Sequence, residues 1–117
     1  MKALFVIFLF SSFLFSKHLH KEKYYQSIFC NQHNGKIEFR LNDKTRVDCL
    51  TNEYAIEVDF ATKWAEAIGQ SLYYAKKTGR KAGVLLIMEK PVKDQKYLDR
   101  LNFLSSDLNI TVWTISP

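Results

Sequence analysis

Residues 45–74, TRVDCLTNEYAIEVDFATKWAEAIGQSLYY, form the stretch that decides the fold. Their hydrophobic pattern predicts two short strands followed by a helix. These elements direct five polar side chains toward one place: Asp48, Glu57, Asp59, Lys63 and Gln70. Acidic side chains that converge from neighbouring strands repel one another, so such a cluster usually requires a cation or a function. The stretch therefore predicts a divalent-metal site.

The second of these strands has an unusual polar face. Its period of two places Ile56 and Val58 on one side, and Glu57 and Asp59 on the other. Small residues flank the two acids, and exposed strand positions more often carry long or β-branched side chains. The pattern favours a face against which something packs or binds, and a solvated strand face is the alternative.

The helix begins where this acidic strand ends. Thr62 is a suitable N-cap, and residues 63–78 form an amphipathic pattern. Lys63 lies four residues beyond Asp59, and Gln70 follows Lys63 by two turns on the same helix face. The helix is thus expected to project both side chains over the acidic strand. The alternative for Lys63 is a solvated lysine in the first helical turn.

The rest of the chain completes a single α/β domain, residues 17–117. A basic segment, residues 17–23, contains His18 and His20 and is expected to be a frayed start. The predicted helices cover residues 22–31, 63–78 and 94–105, and the predicted strands cover residues 36–41, 45–51, 54–61, 84–88 and 110–115. This order, αβββαβαβ, predicts a three-layer α/β/α fold with a mixed central sheet and helices on both faces.

The N-terminus has the layout of a secretory signal peptide. Lys2 precedes an almost wholly apolar run, and Ser16 provides a small residue before the polar segment. Residues 1–16 are therefore predicted to be a signal peptide, with an uncleaved membrane anchor as the alternative. Either way, the domain is expected to be periplasmic or secreted.

The charge indicates which kind of binding partner suits the domain, and the state of the cysteines depends on its compartment. The formal charge of +5 becomes +4 without the signal peptide, and a cationic domain suits a polyanionic partner such as DNA. Cys30 and Cys49 are the two cysteines, and their spacing does not suit a metal knuckle. In an oxidising compartment they form either one disulfide or two buried thiols.

Phosphodiester hydrolysis requires charge neutralisation at the phosphate, a metal-bound water and stabilisation of the leaving oxygen. Asp48 and Glu57 on adjacent strands can turn both carboxylates toward one ion, and magnesium is usually held by one or two carboxylates together with water and substrate. A nearby lysine can stabilise the phosphate or orient water, and a glutamine can position water or substrate. The alternative is that the two acids lie at the surface and pair with Arg40 or Arg46.

The order of elements and short motifs resembles the PD-(D/E)XK nuclease superfamily, particularly its Holliday-junction-resolvase-like and RecB-like branches. The resemblance covers about residues 24–88. Asp48 in RVD matches the aspartate of the second motif, and Glu57 in EVD matches the acid of the third. Gln70 and Tyr74 match the glutamine–tyrosine pair of RecB-like members, and Glu38 is a candidate for an additional upstream acid.

The resemblance implies a restriction-endonuclease-like fold and a nuclease site that uses Mg²⁺ or Mn²⁺. The family lysine is expected two residues after Glu57, where this chain has Asp59, and Lys63 is the candidate for a lysine that has moved to the helix. The implied metal ligands are Asp48 and Glu57 with Asp59 as an auxiliary, and the implied catalytic set adds Lys63 and Gln70. The residues expected to contact substrate are Glu38, Arg46 and Tyr74.

Two main functional hypotheses follow. The first is an exported metal-dependent deoxyribonuclease that hydrolyses phosphodiester bonds of DNA. The second is a catalytically inactive nuclease-fold module that binds nucleic acid or a protein partner. A structural envelope protein, which binds neither metal nor DNA, is a third alternative.

Overall fold

The computed structural model describes residues 17–117, so the predicted signal peptide, residues 1–16, lies outside the described residues. The elements run in the order helix α1 (Glu22–Gln32), strands β1 (Lys36–Arg40), β2 (Arg46–Leu50) and β3 (Tyr54–Phe60), a 3₁₀ turn (Ala61–Lys63), helix α2 (Trp64–Thr78), strand β4 (Lys81–Ile87), helix α3 (Pro91–Ser105) and strand β5 (Ile110–Ile115). Apart from the 3₁₀ turn, this is the predicted αβββαβαβ order.

The strands form one five-stranded sheet in the order β1-β2-β3-β4-β5. β1, β2 and β3 pair antiparallel, whereas β3, β4 and β5 pair parallel. Short turns suffice to connect the antiparallel strands, and α2 and α3 supply the longer crossovers that parallel strands require. The described chain is therefore a mixed α/β fold with a mixed central sheet, as predicted.

Helices cover both faces of the sheet. Alternate side chains of β4 enter two different cores, because successive residues of a strand point to opposite faces. Leu85 packs with Tyr25 of α1 on one face. Val84 packs with Ala67 of α2 and Leu101 of α3 on the other. This confirms the predicted three-layer arrangement.

The start of α2 differs from the prediction. The chain forms the 3₁₀ turn after β3, and the α-helix begins at Trp64 rather than at Lys63. Lys63 is the N-cap residue, and no side chain caps the helix, so the prediction that Thr62 is the cap was wrong. Lys63 therefore stands at the junction of the turn and the helix.

Two further boundaries were placed too late in the sequence. β4 begins at Lys81 rather than at residue 84, because Lys81 already pairs with Tyr54 of β3. α3 begins at Pro91 rather than at residue 94. Proline lacks a backbone N–H and its fixed φ suits the first helical turn, so this residue starts the helix instead of merely ending the strand.

The cysteine pair is oxidised. Cys30 of α1 and Cys49 of β2 form a disulfide with a Cα–Cα distance of 5.7 Å. Both residues are fully buried. Gly35 lies against the bond, since a Cβ atom there would come within 2.5 Å of Cys49 Sγ and 2.6 Å of Cys30 Sγ. The disulfide thus fixes α1 against the sheet.

The basic N-terminal segment is ordered by tertiary contacts, so the expectation of a frayed start was wrong. The ring of His18 stacks on Phe60 with centroids 3.5 Å apart. The carboxylate of Glu89 contacts His18 Nδ1 at 2.9 Å and accepts hydrogen bonds from His20 N at 3.1 Å and Tyr25 Oη at 2.5 Å. No helix within residues 17–117 is long and apolar enough to cross a bilayer.

A matched pair of glycine substitutions tests the packing. In Gly83→Ala, the added methyl would lie 2.7 Å from Trp113 Cζ3 and 3.2 Å from Ile56 Cγ1. The Trp113 ring is held edge-to-face against Phe29 and Tyr54, so it cannot move away easily. We expect Gly83→Ala to lower the free energy of unfolding by about 1–3 kcal/mol in urea titrations, as overpacking does.

Gly69→Ala is the control. Gly69 lies in the interior of α2, and a Cβ there meets no atom within 4 Å. Alanine stabilises an exposed helix interior relative to glycine by about 0.5–1 kcal/mol, so this variant should unfold at higher urea concentration. Equal destabilisation by both substitutions would contradict the described packing of β4.

Candidate functional site

Asp48 occupies the point at which β2 and β3 part. The paired residues of these strands are Cys49 with Ile56 and Leu50 with Ala55. Beyond them the Asp48 carboxylate takes the place of a strand backbone, because its Oδ2 accepts a hydrogen bond of 2.8 Å from Val58 N. The bond fixes the carboxylate beside the polar face of β3.

Glu57 and Asp59 lie on that polar face and are buried. Their exposed fractions are 7% and 8%. Ala55, on the same face, packs with Tyr74 of α2. Glu57 Oε1 and Asp59 Oδ2 have no hydrogen-bond partner within the described residues. Burial excludes the solvated-face alternative, and two unpartnered carboxylate oxygens are costly to leave without a compensating ligand.

The buried carboxyl groups carry raised pKa values, because burial disfavours their charged forms and because they repel one another. Burial, followed by the charges of Glu22 and Asp48, raises the pKa of Asp59 to about 7, and the amine of Lys63 opposes this shift. Burial also raises the pKa values of Asp48 and Glu57, and the charge of Asp48 adds to the shift at Glu57. Without a cation, the cluster therefore holds fewer negative charges at neutral pH than it has acids.

Helix α1 adds two residues that the sequence analysis missed. Burial and then the charge of Asp48 raise the pKa of Glu22 to about 7. Gln26 is buried, and its Nε2 donates to Glu38 Oε2 at 2.9 Å and to the Asp48 carbonyl oxygen at 2.7 Å. Helical spacing alone placed both residues on the face of Cys30, one and two turns before it. That this face meets β2 followed only from the disulfide in the folded chain.

Glu38 and Arg46 interact with each other at the edge of the site. Glu38 has a φ of 55°, in the left-handed region that a residue with a Cβ seldom adopts. Its Oε1 lies 3.7 Å from Arg46 Nη1. Within residues 17–117, neither Asp48 nor Glu57 forms an ion pair with an arginine. The alternative that these two acids are surface partners of Arg40 or Arg46 is therefore not observed.

The residues predicted on α2 differ in their distance from the acids. Tyr74 is buried, and its pKa is raised by burial and by the charges of Glu57 and Asp48. Lys63 is exposed but lies close enough to lower the pKa values of Asp59 and Glu22. Gln70 is exposed on the helix one turn before Tyr74. The structure thus brings Tyr74 to the acids, leaves Lys63 at their border, and leaves Gln70 facing solvent.

The donor set suits a hard divalent cation. Within residues 17–117, no group of three or more His, Cys, Asp or Glu side chains has the geometry of a metal site. Magnesium is usually held by one or two carboxylates, with water and substrate completing its shell. Asp48 and Glu57 provide such a pair, and the unpartnered Glu57 Oε1 is an oxygen that a cation would compensate. The residues present therefore fit Mg²⁺ or Mn²⁺ on their chemistry.

No protein-family model, curated protein or solved structure matches this chain.

The raised pKa values predict that the metal-free protein becomes more stable as the pH falls. A carboxyl group whose pKa is higher in the folded than in the unfolded chain stabilises the fold at low pH, and this contribution is lost as the pH rises through the folded value. For Asp59 that value is about 7. In thermal denaturation, the Tm should rise as the pH is lowered from about 8 to about 5. Added Mg²⁺ should raise the Tm mainly at the higher pH.

Neutral isosteres of the buried acids should remove this trend. We expect Glu57→Gln and Asp59→Asn each to raise the free energy of unfolding at about pH 8 by about 1–2 kcal/mol and to flatten its pH dependence. Asp107→Asn is the control, because Asp107 is exposed in the turn between α3 and β5, far in sequence from the acids of the cluster. A Tm that falls in both isosteric variants would show that the charged acids stabilise the fold.

Proposed function

We propose that this chain is an exported, metal-dependent nuclease that hydrolyses phosphodiester bonds of DNA in the periplasm or outside the cell. It would use a restriction-endonuclease-like fold of the PD-(D/E)XK type. The observation that carries the proposal is the pair of buried, unpartnered carboxylate oxygens on Glu57 and Asp59 beside the Asp48 carboxylate. Unsatisfied acids of this kind at a fixed position are typical of functional sites.

Asp48 and Glu57 would hold the ion as a pair, and Asp59 would lie beside them as an auxiliary acid, since residues 17–117 contain no group of three acids with the geometry of a metal site. A bound Mg²⁺ or Mn²⁺ supplies charge neutralisation at the phosphate and lowers the pKa of its water. The protein holds both carboxylates in place: the Val58 amide fixes Asp48, and burial of β3 between helices fixes Glu57. Pre-positioned ligands of this kind avoid reorganisation when substrate binds.

The remaining residues would serve the substrate. Lys63 is exposed beside Asp59, so its amine is free to reach a phosphate oxygen from solvent. Gln70 and Arg46 are also exposed and would contact the nucleic acid, while Tyr74 supports the site from within and Glu38 supports it from its edge. The formal charge of +5, or +4 without residues 1–16, would favour association with a polyanion.

The fold is compatible with this assignment. The sheet begins with an antiparallel meander and continues with parallel strands. This is the order of elements on which the resemblance to PD-(D/E)XK nucleases rests. The acids at positions 48 and 57 lie where β2 and β3 part, and the following helix packs on the same face. The order of the elements and the position of the acids support the proposal together, since the short motifs around Asp48 and Glu57 would not do so alone.

A specific observation also favours the second hypothesis, an inactive nuclease-fold module. Asp59 occupies the position of the family lysine, and the amine of Lys63 acts on Asp59 and Glu22 rather than on Glu57. A module of this kind would bind DNA with steep salt dependence and leave it intact.

Substitution of Asp48 and Glu57, the two proposed metal ligands, tests the proposal. Plasmid, linear and branched DNA are incubated with Mg²⁺ or Mn²⁺, and cleavage is followed on gels. Asp48→Ala and Glu57→Ala should each reduce cleavage by at least about a hundredfold, the scale on which loss of a transition-state electrostatic group acts. Asp107→Ala, at an exposed acid, should cleave normally. Unchanged cleavage in both site variants would overturn the assignment.

Substitution of Lys63 separates the two hypotheses. For an active nuclease, Lys63→Ala should lower the cleavage rate by about ten- to a hundredfold and change DNA affinity little, because the amine acts on charge in the transition state. Lys76→Ala is the matched control, since Lys76 is exposed at the other end of the same helix. Cleavage undetectable in the wild type, with salt-dependent binding, would identify the inactive module.

A further inference from the structure

We propose that Gln26 is the positioning residue of the acidic site, and that the Cys30–Cys49 disulfide holds Gln26 in place. The functional part of this inference rests on the proposed nuclease activity. Its structural part concerns how α1 controls the position of Asp48 and can be tested without any activity.

Gln26 connects three elements through one amide. Its exposed fraction is 1%, and its Nε2 donates to the Asp48 carbonyl oxygen of β2 at 2.7 Å and to Glu38 Oε2 of β1 at 2.9 Å. A primary amide nitrogen has two hydrogens, so both donors are used. The carbonyl group of Asp48 is thereby held from α1 while its carboxylate is held by Val58 N of β3.

The disulfide lies directly beside these contacts. Cys30 follows Gln26 by one helical turn, and Cys49 is the neighbour of Asp48 in β2. The covalent bond therefore joins the helix that carries the donor to the strand that carries the acceptor, adjacent to both. Because both cysteines are fully buried and Gly35 closes over the sulfurs, α1 has little freedom to slide along β2.

The backbone of β1 is adapted to the same contact. Glu38 keeps a φ of 55°, and the pairing of β1 with β2 steps from Ile37–Cys49 to Phe39–Val47 on either side of it. Strained backbone of this kind persists where the surrounding structure imposes it. In this conformation the Glu38 carboxylate accepts the hydrogen bond from Gln26.

The Val58 amide reports the position of Asp48 directly, since it donates to the Asp48 carboxylate. Hydrogen exchange at Val58 is measured by NMR in the metal-free protein, relative to Leu85, which is fully buried in strand β4 between β3 and β5. We expect Gln26→Leu to accelerate exchange at Val58 about tenfold relative to Leu85, as loss of local order does. Gln95→Leu is the matched control, because Gln95 also donates to a carboxylate, that of Asp99, on an exposed helix face.

Two results would overturn the role of Gln26. Unchanged protection at Val58 would show that Asp48 is positioned without the amide. An equal loss of protection at Val58 and Leu85 would show that Gln26 supports the whole fold rather than the site.

Reduction tests the disulfide. Reductant should accelerate exchange at Val58 more than at Leu85 in the wild type. The double variant Cys30→Ala/Cys49→Ala should show the same pattern with no response to reductant. Equal acceleration at both amides, or none, would show that the bond does not act as a local clamp on the site.

The functional readouts are metal affinity and steady-state kinetics. Gln26→Leu should weaken Mn²⁺ binding in calorimetry about tenfold, as loss of a ligand-orienting partner does. It should lower kcat with little change in KM, because it displaces Asp48 and leaves the exposed substrate contacts intact. Unaltered Mn²⁺ affinity and kcat would refute the functional role. If the wild type neither binds Mn²⁺ nor cleaves DNA, the proposed function fails, whereas the exchange data still decide the positioning role.

Discussion

The hydrogen bond from the Val58 amide to the Asp48 carboxylate is the contact on which the organisation of the site depends. It allows β2 and β3 to part without leaving a strand amide unpaired, because a side chain replaces the missing backbone partner. The same bond turns the Asp48 carboxylate toward Glu57. One interaction therefore joins the parting of the two strands to the assembly of the acids.

Two kinds of buried carboxylate in this fold show how structural and functional acids differ. Glu89 accepts hydrogen bonds from Tyr25, His20 and His18, which outweigh the effect of burial and lower its pKa to about 2. The Glu89 side chain is 7% exposed. Glu57 and Asp59 are also buried, but each keeps an oxygen without a partner. The first arrangement stabilises the N-terminal segment, whereas the second opposes folding until a cation or a proton compensates it.

Local patterns predicted the order of the elements well, because periods of two and 3.6 residues survive in any environment that buries one face. The predicted boundaries of the helices and strands were less accurate. Thr62 has the chemistry of an N-cap, yet the chain enters a 3₁₀ turn there, and β4 starts early because its pairing with Tyr54 extends to Lys81. The ordering of His18 was not predictable, since its partners Phe60 and Glu89 are distant in sequence.

The alternation of β3 suffices to put Glu57 and Asp59 on one face, and the cysteine count limits the chain to one disulfide. Their burial, their lack of partners and the pairing of Cys30 with Cys49 were settled only by the folded chain. The contribution of Gln26 also emerged only there, because its contact with Asp48 joins residues separated by 22 positions. Periodicity records which way a side chain points relative to its own element, whereas the neighbour it meets depends on how the elements pack.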